Sequence, residues 1–216
     1  MIMAITPRKK ETDLETRTRI LNSAAVLFAE QGYAASSIAM IARHAGVLPG
    51  SIYWAFQSKE LILAEVMKRA GEEWDRQFLS DTVEGAPFTL RNVRGALARV
   101  EEGFRDTPEF LRLIMVVATE RQAGSPEVLK VARDIRERGR NRLVQTLLAA
   151  YPHLDRTKFE SVARRIARTA IQLLDGAFLA LQIEPDQVTA RELFDDAAQL
   201  ITLAVANGIK TIKDDG

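Results

Sequence analysis

An all-α fold follows from three features of the chain. Apolar residues recur at helical spacing through almost every segment between turn signals, and no stretch alternates convincingly at period two over strand length. Pro87, Pro108, Pro126, Pro152 and Pro185 mark or flank breaks between the periodic segments.

A first helix is predicted from about Leu14 to Gln31, with Ile20, Ala24, Leu27 and Phe28 on one face and Gly32 at the C-cap position. The turn "GYAASS" offers Ser36 or Ser37 as N-cap for a short second helix that carries Ile38, Ile41, Ala42 and Ala45 inward. Gly46 ends that helix. Pro49 suits the first turn of a third helix, "PGSIYWAF", of about two turns. Ser58 caps a longer fourth helix carrying Leu61, Ile62, Val66, Trp74 and Phe78 toward Leu79. Beyond "EGAP", long helices are expected at about Phe88 to Phe104, Glu109 to Gln122, Glu127 to Tyr151, Arg156 to Ile183 and Ala190 to Asn207.

With 216 residues, the chain has room for a substantial core without staples. It contains no cysteine, which excludes a disulfide framework and thiolate metal sites. His44 and His153 are its two histidines, too far apart in sequence for a histidine metal cluster, so no metal and no cofactor is expected. The first twenty residues are polar and lack the apolar core of a secretory signal. Apolar runs such as "LIMVVA" are too short to cross a bilayer. A cytoplasmic protein with no membrane partner is therefore expected.

The formal net charge is +1, but its distribution is uneven. Up to Arg69 nine Lys and Arg stand against six acids, and beyond it twenty-one stand against twenty-three. No Asp or Glu occurs between Gly32 and Lys59. A surface that approaches phosphates excludes carboxylates because each adds repulsion in a strong field, although chance depletion in a short apolar segment reads the same way.

Three short helices with glycine-containing turns suit a helix-turn-helix module, in which the second helix of the pair enters the DNA major groove. Ile52 and Phe56, four apart, face the core and turn Gly50, Ser51, Tyr53 and Trp54 toward the outside or the rim. Tyr53 and Trp54 are open to a second reading as core aromatics, Trp54 partly beneath the fourth helix.

From Thr16 to about Leu63 the sequence resembles the N-terminal domain of the TetR family of bacterial transcriptional regulators. The resemblance covers under a quarter of the chain. It rests on "LFAEQGY" (Leu27 to Tyr33), "IA" (Ile41, Ala42), "AGV" (Ala45 to Val47), "GSIY" (Gly50 to Tyr53), Phe56 and "KE" (Lys59, Glu60), all at the family's spacing. It implies that Ser37 caps the second helix and meets phosphate, and that the Tyr53 hydroxyl and Lys59 meet phosphates. Pro49, Gly50, Ser51 and Trp54 occupy places from which family members meet base edges or backbone. Arg43 on the second helix faces either phosphate or solvent. Two departures stand out. Leu48 occupies the usual Ser or Thr position before the recognition helix, a poor N-cap costing about 1 kcal/mol unless its side chain packs or meets a thymine methyl. Ala55 stands where a larger polar or aromatic residue is common.

Three domains are expected: a flexible basic arm over 1–14, a helix-turn-helix DNA-binding domain over 15–62, and a helical effector-binding and dimerisation bundle over 63–216. Arg8, Lys9 and Lys10 of the arm either enter a minor groove or stay solvated. On the helix from Val162 to Ile183, Arg164, Arg168, Gln172 and Asp175 form a polar stripe opposite a wide apolar arc. With the last helix, that arc predicts a two-fold interface through Leu173, Leu174, Ala177, Leu181, Leu200, Ile201 and Ala204. An effector pocket, for an unidentified and largely apolar small molecule, has Trp74, Phe78, Phe88, Phe104, Phe110, Met115 and Phe178 as candidates, with ordinary core as the default for each. Glu120 and Arg121 are either polar recognition groups or exposed helix-end residues. "RDIRERGRNR" (Arg133 to Arg142) fits a solvated helix face.

No phosphate loop, nucleophile elbow or metal spacing supports an enzyme. The adjacent pairs Glu72–Glu73, Glu101–Glu102 and Asp195–Asp196 point to different helical sides. The expectation is a homodimeric, ligand-responsive regulator binding a palindromic double-stranded DNA operator, in this family most often a repressor. Its rival is an all-α small-molecule-binding protein or enzyme with no role at DNA.

Overall fold

The computed structural model describes residues 7–78 and 88–214, and every described element is helical. The helices are α1 (Pro7–Gln31), α2 (Ile38–Ala45), α3 (Pro49–Ala55), α4 (Lys59–Phe78), α5 (Leu90–Asp106), α6 (Pro108–Thr119), α7 (Pro126–Ala150), α8 (Arg156–Ile183) and α9 (Ala190–Asp214). A short 3-10 turn, Arg121–Ala123, follows α6.

Two ends differ from the sequence expectation. α1 starts at Pro7 rather than near Leu14, so the backbone of Arg8, Lys9 and Lys10 is helical. Proline suits a first helical position because its missing N–H would be unsatisfied there anyway. α9 continues past Asn207 to Asp214. Gly208 lies buried inside it as a packing residue: a Cβ there would run into the Val162 side chain of α8.

The chain divides into two compact units. In the first, α1, α2, α3 and α4 up to Glu72 associate with the segment Glu109–Asp134. Its core is the apolar face expected of a helix-turn-helix: Ile20, Ala24 and Phe28 of α1, Ile41 and Ala42 of α2, and Ile52 of α3 are essentially inaccessible to water. Each large side chain among them contributes roughly 2 kcal/mol by leaving water. Phe110, Leu113, Val117 and Val128 of the later segment are buried as well.

The second unit contains the rest of α4, α5, the remainder of α7, α8 and α9. α9 packs against both α8 and α5. Phe104 stands at its aromatic centre, 5.6 Å from the ring of Phe178 and 5.0 Å from that of Phe194, both edge-on, with Trp74 at 6.2 Å. Edge-to-face pairs of this kind are favoured by the ring quadrupoles. Part of the basic run on α7 is engaged rather than solvated. Arg136 grips Asp175 of α8 through both guanidinium nitrogens, at 3.0 and 2.6 Å, and Arg138 meets Asp75 at 3.3 Å. Among the described helices α8 alone is long and apolar enough to cross a bilayer. Its buried Phe159, Ala163, Ile166, Ala167 and Ala170 belong to the unit's core.

Candidate nucleic-acid interface

The turn between α1 and α2 begins at Gly32, whose φ of +81° lies in the left-handed region. Ser36 is buried, and its hydroxyl donates back to the carbonyls of Gly32 at 2.7 Å and Leu27 at 3.2 Å. Ser37 is thereby left as the N-cap, accepting the Met40 N–H at 3.2 Å. α2 closes on Gly46, whose N–H returns to the end of the helix. After Val47 the chain stays extended at Leu48 and turns into α3 at Pro49.

This path puts α3 on the surface with one face inward. Ile52 is fully buried and Phe56 nearly so. Tyr53 is 62% exposed and Trp54 73% exposed, which overturns the alternative of core aromatics for both. Arg43, Pro49 and Gly50 are exposed and Ser51 is half-buried. Ser37 is exposed too, so six of the eight predicted DNA-contacting residues face solvent. Leu48 makes no side-chain cap bond and is 76% exposed, so it does not pack.

Lys59 is half-buried and engaged within the chain. Its ammonium donates to the carbonyls of Tyr33 and Ser36, both at 2.8 Å, and lies 3.9 Å from the centre of the Tyr33 ring. The carbonyls of the turn outcompete solvent for it because the site is half-buried. Burial lowers its pKa, and the carboxylates of Glu60 and Glu120 counteract that. The Tyr33 hydroxyl donates to Glu60 at 3.0 Å. Desolvation first, then that bond and the charge of Glu60, hold the phenol well above its ordinary range.

Two residues tied to the interface were not read as such in the sequence. Arg17 of α1 donates to the Ala55 carbonyl at the end of α3, at 2.8 Å, and lies over Phe56. Glu120 accepts the backbone N–H groups of Tyr33 and Ala34. Glu120 lies 87 residues from Tyr33 along the chain, and no local pattern announces such a bond.

Residues 20–66 match the family model of bacterial regulatory proteins of the tetR family. Over these residues the chain carries a helix-turn-helix domain of the TetR type. UidR of Escherichia coli K12, an HTH-type transcriptional regulator, is 32% identical over 89 residues, 41% of this chain and 45% of that one. The chain thus spans less than half the length of this curated relative. A TetR-family transcriptional regulator from Agrobacterium tumefaciens has a related fold, with a TM-score of 0.68 at 19% identity over 88% of this chain and 97% of its own. A protein from Saccharomonospora viridis solved in complex with choline gives a TM-score of 0.68 at 24% identity, covering 87% and 95%.

The seven candidate pocket residues, six aromatics and Met115, do not form one described site. Trp74, Phe104 and Phe178 come together in the second unit, joined by Phe194, which the sequence reading missed. They pack against one another as core. Phe110 is buried and Met115 half-buried in the first unit, Phe88 is half-buried in the second, and the Phe78 side chain lies outside the described residues. A groove of about 260 Å³ between α8 and α9 is lined by none of the seven, but by Arg165, Thr169, Asn207 and their neighbours.

The predicted interface residues also divide. Ala177 and Ile201 are buried in their own unit, because α8 and α9 pack on each other there. Leu173, Leu174, Leu181 and Ala204 are half-buried, and Leu200 is exposed. Leu179 and Ile183 of α8 and Leu203 of α9 are exposed as well, so the outward stripe is rotated from the one read in the sequence.

Proposed function

We propose that this chain is a ligand-responsive transcriptional regulator that binds a palindromic operator as a homodimer and represses until a small molecule releases it. The exposed face of α3 carries this reading. Within a span free of carboxylates from Gly32 to Lys59, it presents Tyr53, Trp54 and Leu48 to solvent beside Ser37 and Arg43. A short helix of that character fits a major groove, where hydroxyls and cations meet phosphates and apolar groups meet thymine methyls. The match of residues 20–66 to the TetR-family model and the choline complex of the Saccharomonospora viridis protein support DNA binding and small-molecule control respectively.

A dimer with two such helices about 34 Å apart would reach successive major grooves. Release requires that the effector bind the DNA-incompetent arrangement more tightly than the competent one. Gel-shift titration of the full chain against the DNA upstream of its own gene tests this. Salt-sensitive, sequence-selective binding is expected, and its absence on every upstream fragment overturns the reading.

A further inference from the structure

The turn that starts α2 is held by opposite charges on its two kinds of backbone group. Glu120, the first residue after α6, accepts the Tyr33 N–H with Oε1 at 3.1 Å and the Ala34 N–H with Oε2 at 2.8 Å. Two successive amides after a left-handed residue form a concave anion nest, and this one is filled by the chain's own carboxylate. Glycine at 32 is required twice over. Its φ is left-handed, and a Cβ would stand 2.5 Å from Oε1 of Glu120. Lys59, from the start of α4, takes the carbonyls of Tyr33 and Ser36 in the same turn. Ser36 and Ser37 follow at once, so the turn fixes where α2 begins and thereby how α3 is presented.

Resting on the regulatory reading above, we propose that Glu120 is a positioning residue for DNA recognition, through which the end of α6 sets the α2–α3 pair. A shift of that end withdraws the carboxylate and loosens the pair. The exposure of the Ala34 bond makes this an adjustable contact rather than a pillar of the fold. Water can satisfy the released amides, so what is lost is definition of the turn rather than burial.

The charge of Glu120 gives the test an unambiguous sign. Removing a carboxylate near a DNA-binding surface strengthens binding if electrostatics alone operates. Loss of positioning weakens it. In the full-length protein, Glu120→Gln and Glu120→Asp are compared with wild type on the upstream fragment selected by gel shift. Glu120→Asp keeps the charge and shortens the reach. Amide exchange at Tyr33 and Ala34 is expected to quicken about tenfold or more, the range for bonds to a charged acceptor. Affinity for the selected fragment is expected to fall roughly tenfold in both variants, with the salt slope unchanged because no phosphate contact is lost. A wild type that binds selectively while Glu120→Gln binds as well or better overturns this role alone, as does unchanged amide exchange. A wild type without selective binding overturns the regulatory reading and this role with it.

Discussion

Arg17 places its guanidinium carbon 4.0 Å from the centre of the Phe56 ring and donates to the Ala55 carbonyl at 2.8 Å. One side chain of α1 therefore satisfies an orphan carbonyl at the end of α3 and covers the aromatic that anchors α3 in the core. Arg17→Lys keeps the charge but loses the planar fork that does both. Chemical denaturation should show a loss of about 1 kcal/mol, from one hydrogen bond and one partly screened cation–π contact. DNA affinity should fall on all sequences alike, and an unchanged denaturation midpoint would remove Arg17 from this role.

Tyr53 and Tyr33 separate two uses of one residue type. The Tyr33 hydroxyl is engaged inside the chain, whereas Tyr53 is largely exposed. Tyr53→Phe should leave the melting temperature unchanged and weaken selected and random DNA by the same factor, because a phosphate contact carries no base information. A lowered melting temperature, or a loss confined to the selected sequence, would contradict that assignment.

Leu48→Ser should stabilise the free protein. The N-cap of α3 is extended, with φ −73° and ψ 145°, the geometry in which a serine oxygen reaches the amides of the first turn. Since the leucine is exposed, its removal creates no cavity. A gain of about 1 kcal/mol is expected by denaturant titration. Selection from a random DNA library should show a thymine preference weakened at one position per half-site, as the methyl loses its apolar partner.

How much of this was legible follows from the distance over which each feature acts. Ser37, Gly46 and Pro49 punctuate the chain within thirteen residues, so α2 and α3 could be bounded from local rules alone. The start of α1 was hidden because residues 7–13, PRKKETD, carry no apolar stripe to mark a helix. On α8, an apolar arc covering half the circumference leaves the phase of packing open. Ala177 thus looked outward and Leu179 did not, and the packing of α9 settles which is which. Lys59 and Glu120 were out of reach for another reason. A carboxylate or ammonium that satisfies a distant turn has the same local sequence as one in solvent.

Acid should loosen the helix-turn-helix through Glu60. Its own backbone amide first, then the Ser58 hydroxyl, Tyr33 and Lys59, hold this carboxyl below its ordinary value of 4.5, against a smaller opposing effect of burial. A group depressed in the folded state stabilises the fold above its unfolded value, and that contribution is lost as the pH falls through the folded one. The melting temperature should therefore change little between pH 7 and about 5, then decline as carboxylates protonate. In Glu60→Gln the decline below pH 4.5 should be shallower than in wild type. Parallel curves for the two proteins would show that Glu60 has no part in it.

The outward stripe of the second unit supplies the last test. Leu179, Ile183, Leu200 and Leu203 are between 49% and 67% exposed on two helices that pack on one another. Four such residues at helical spacing form a patch that a two-fold partner would cover, whereas Ala177 and Ile201 are already enclosed. Leu203→Glu adds a charge at the surface without disturbing the core, so the monomer should keep its helical circular dichroism signal. Placed in a self-complementary interface, the same charge faces its own copy and must be desolvated unpaired. Sedimentation should then show a protein of half the wild-type mass. Binding to a palindromic site should fall steeply, because the second recognition helix is no longer tethered to the first. Ile201→Val, a buried change, should lower stability by about 1 kcal/mol and leave the mass unaltered. If Leu203→Glu sediments at the same mass as wild type, this stripe is not a contact between copies.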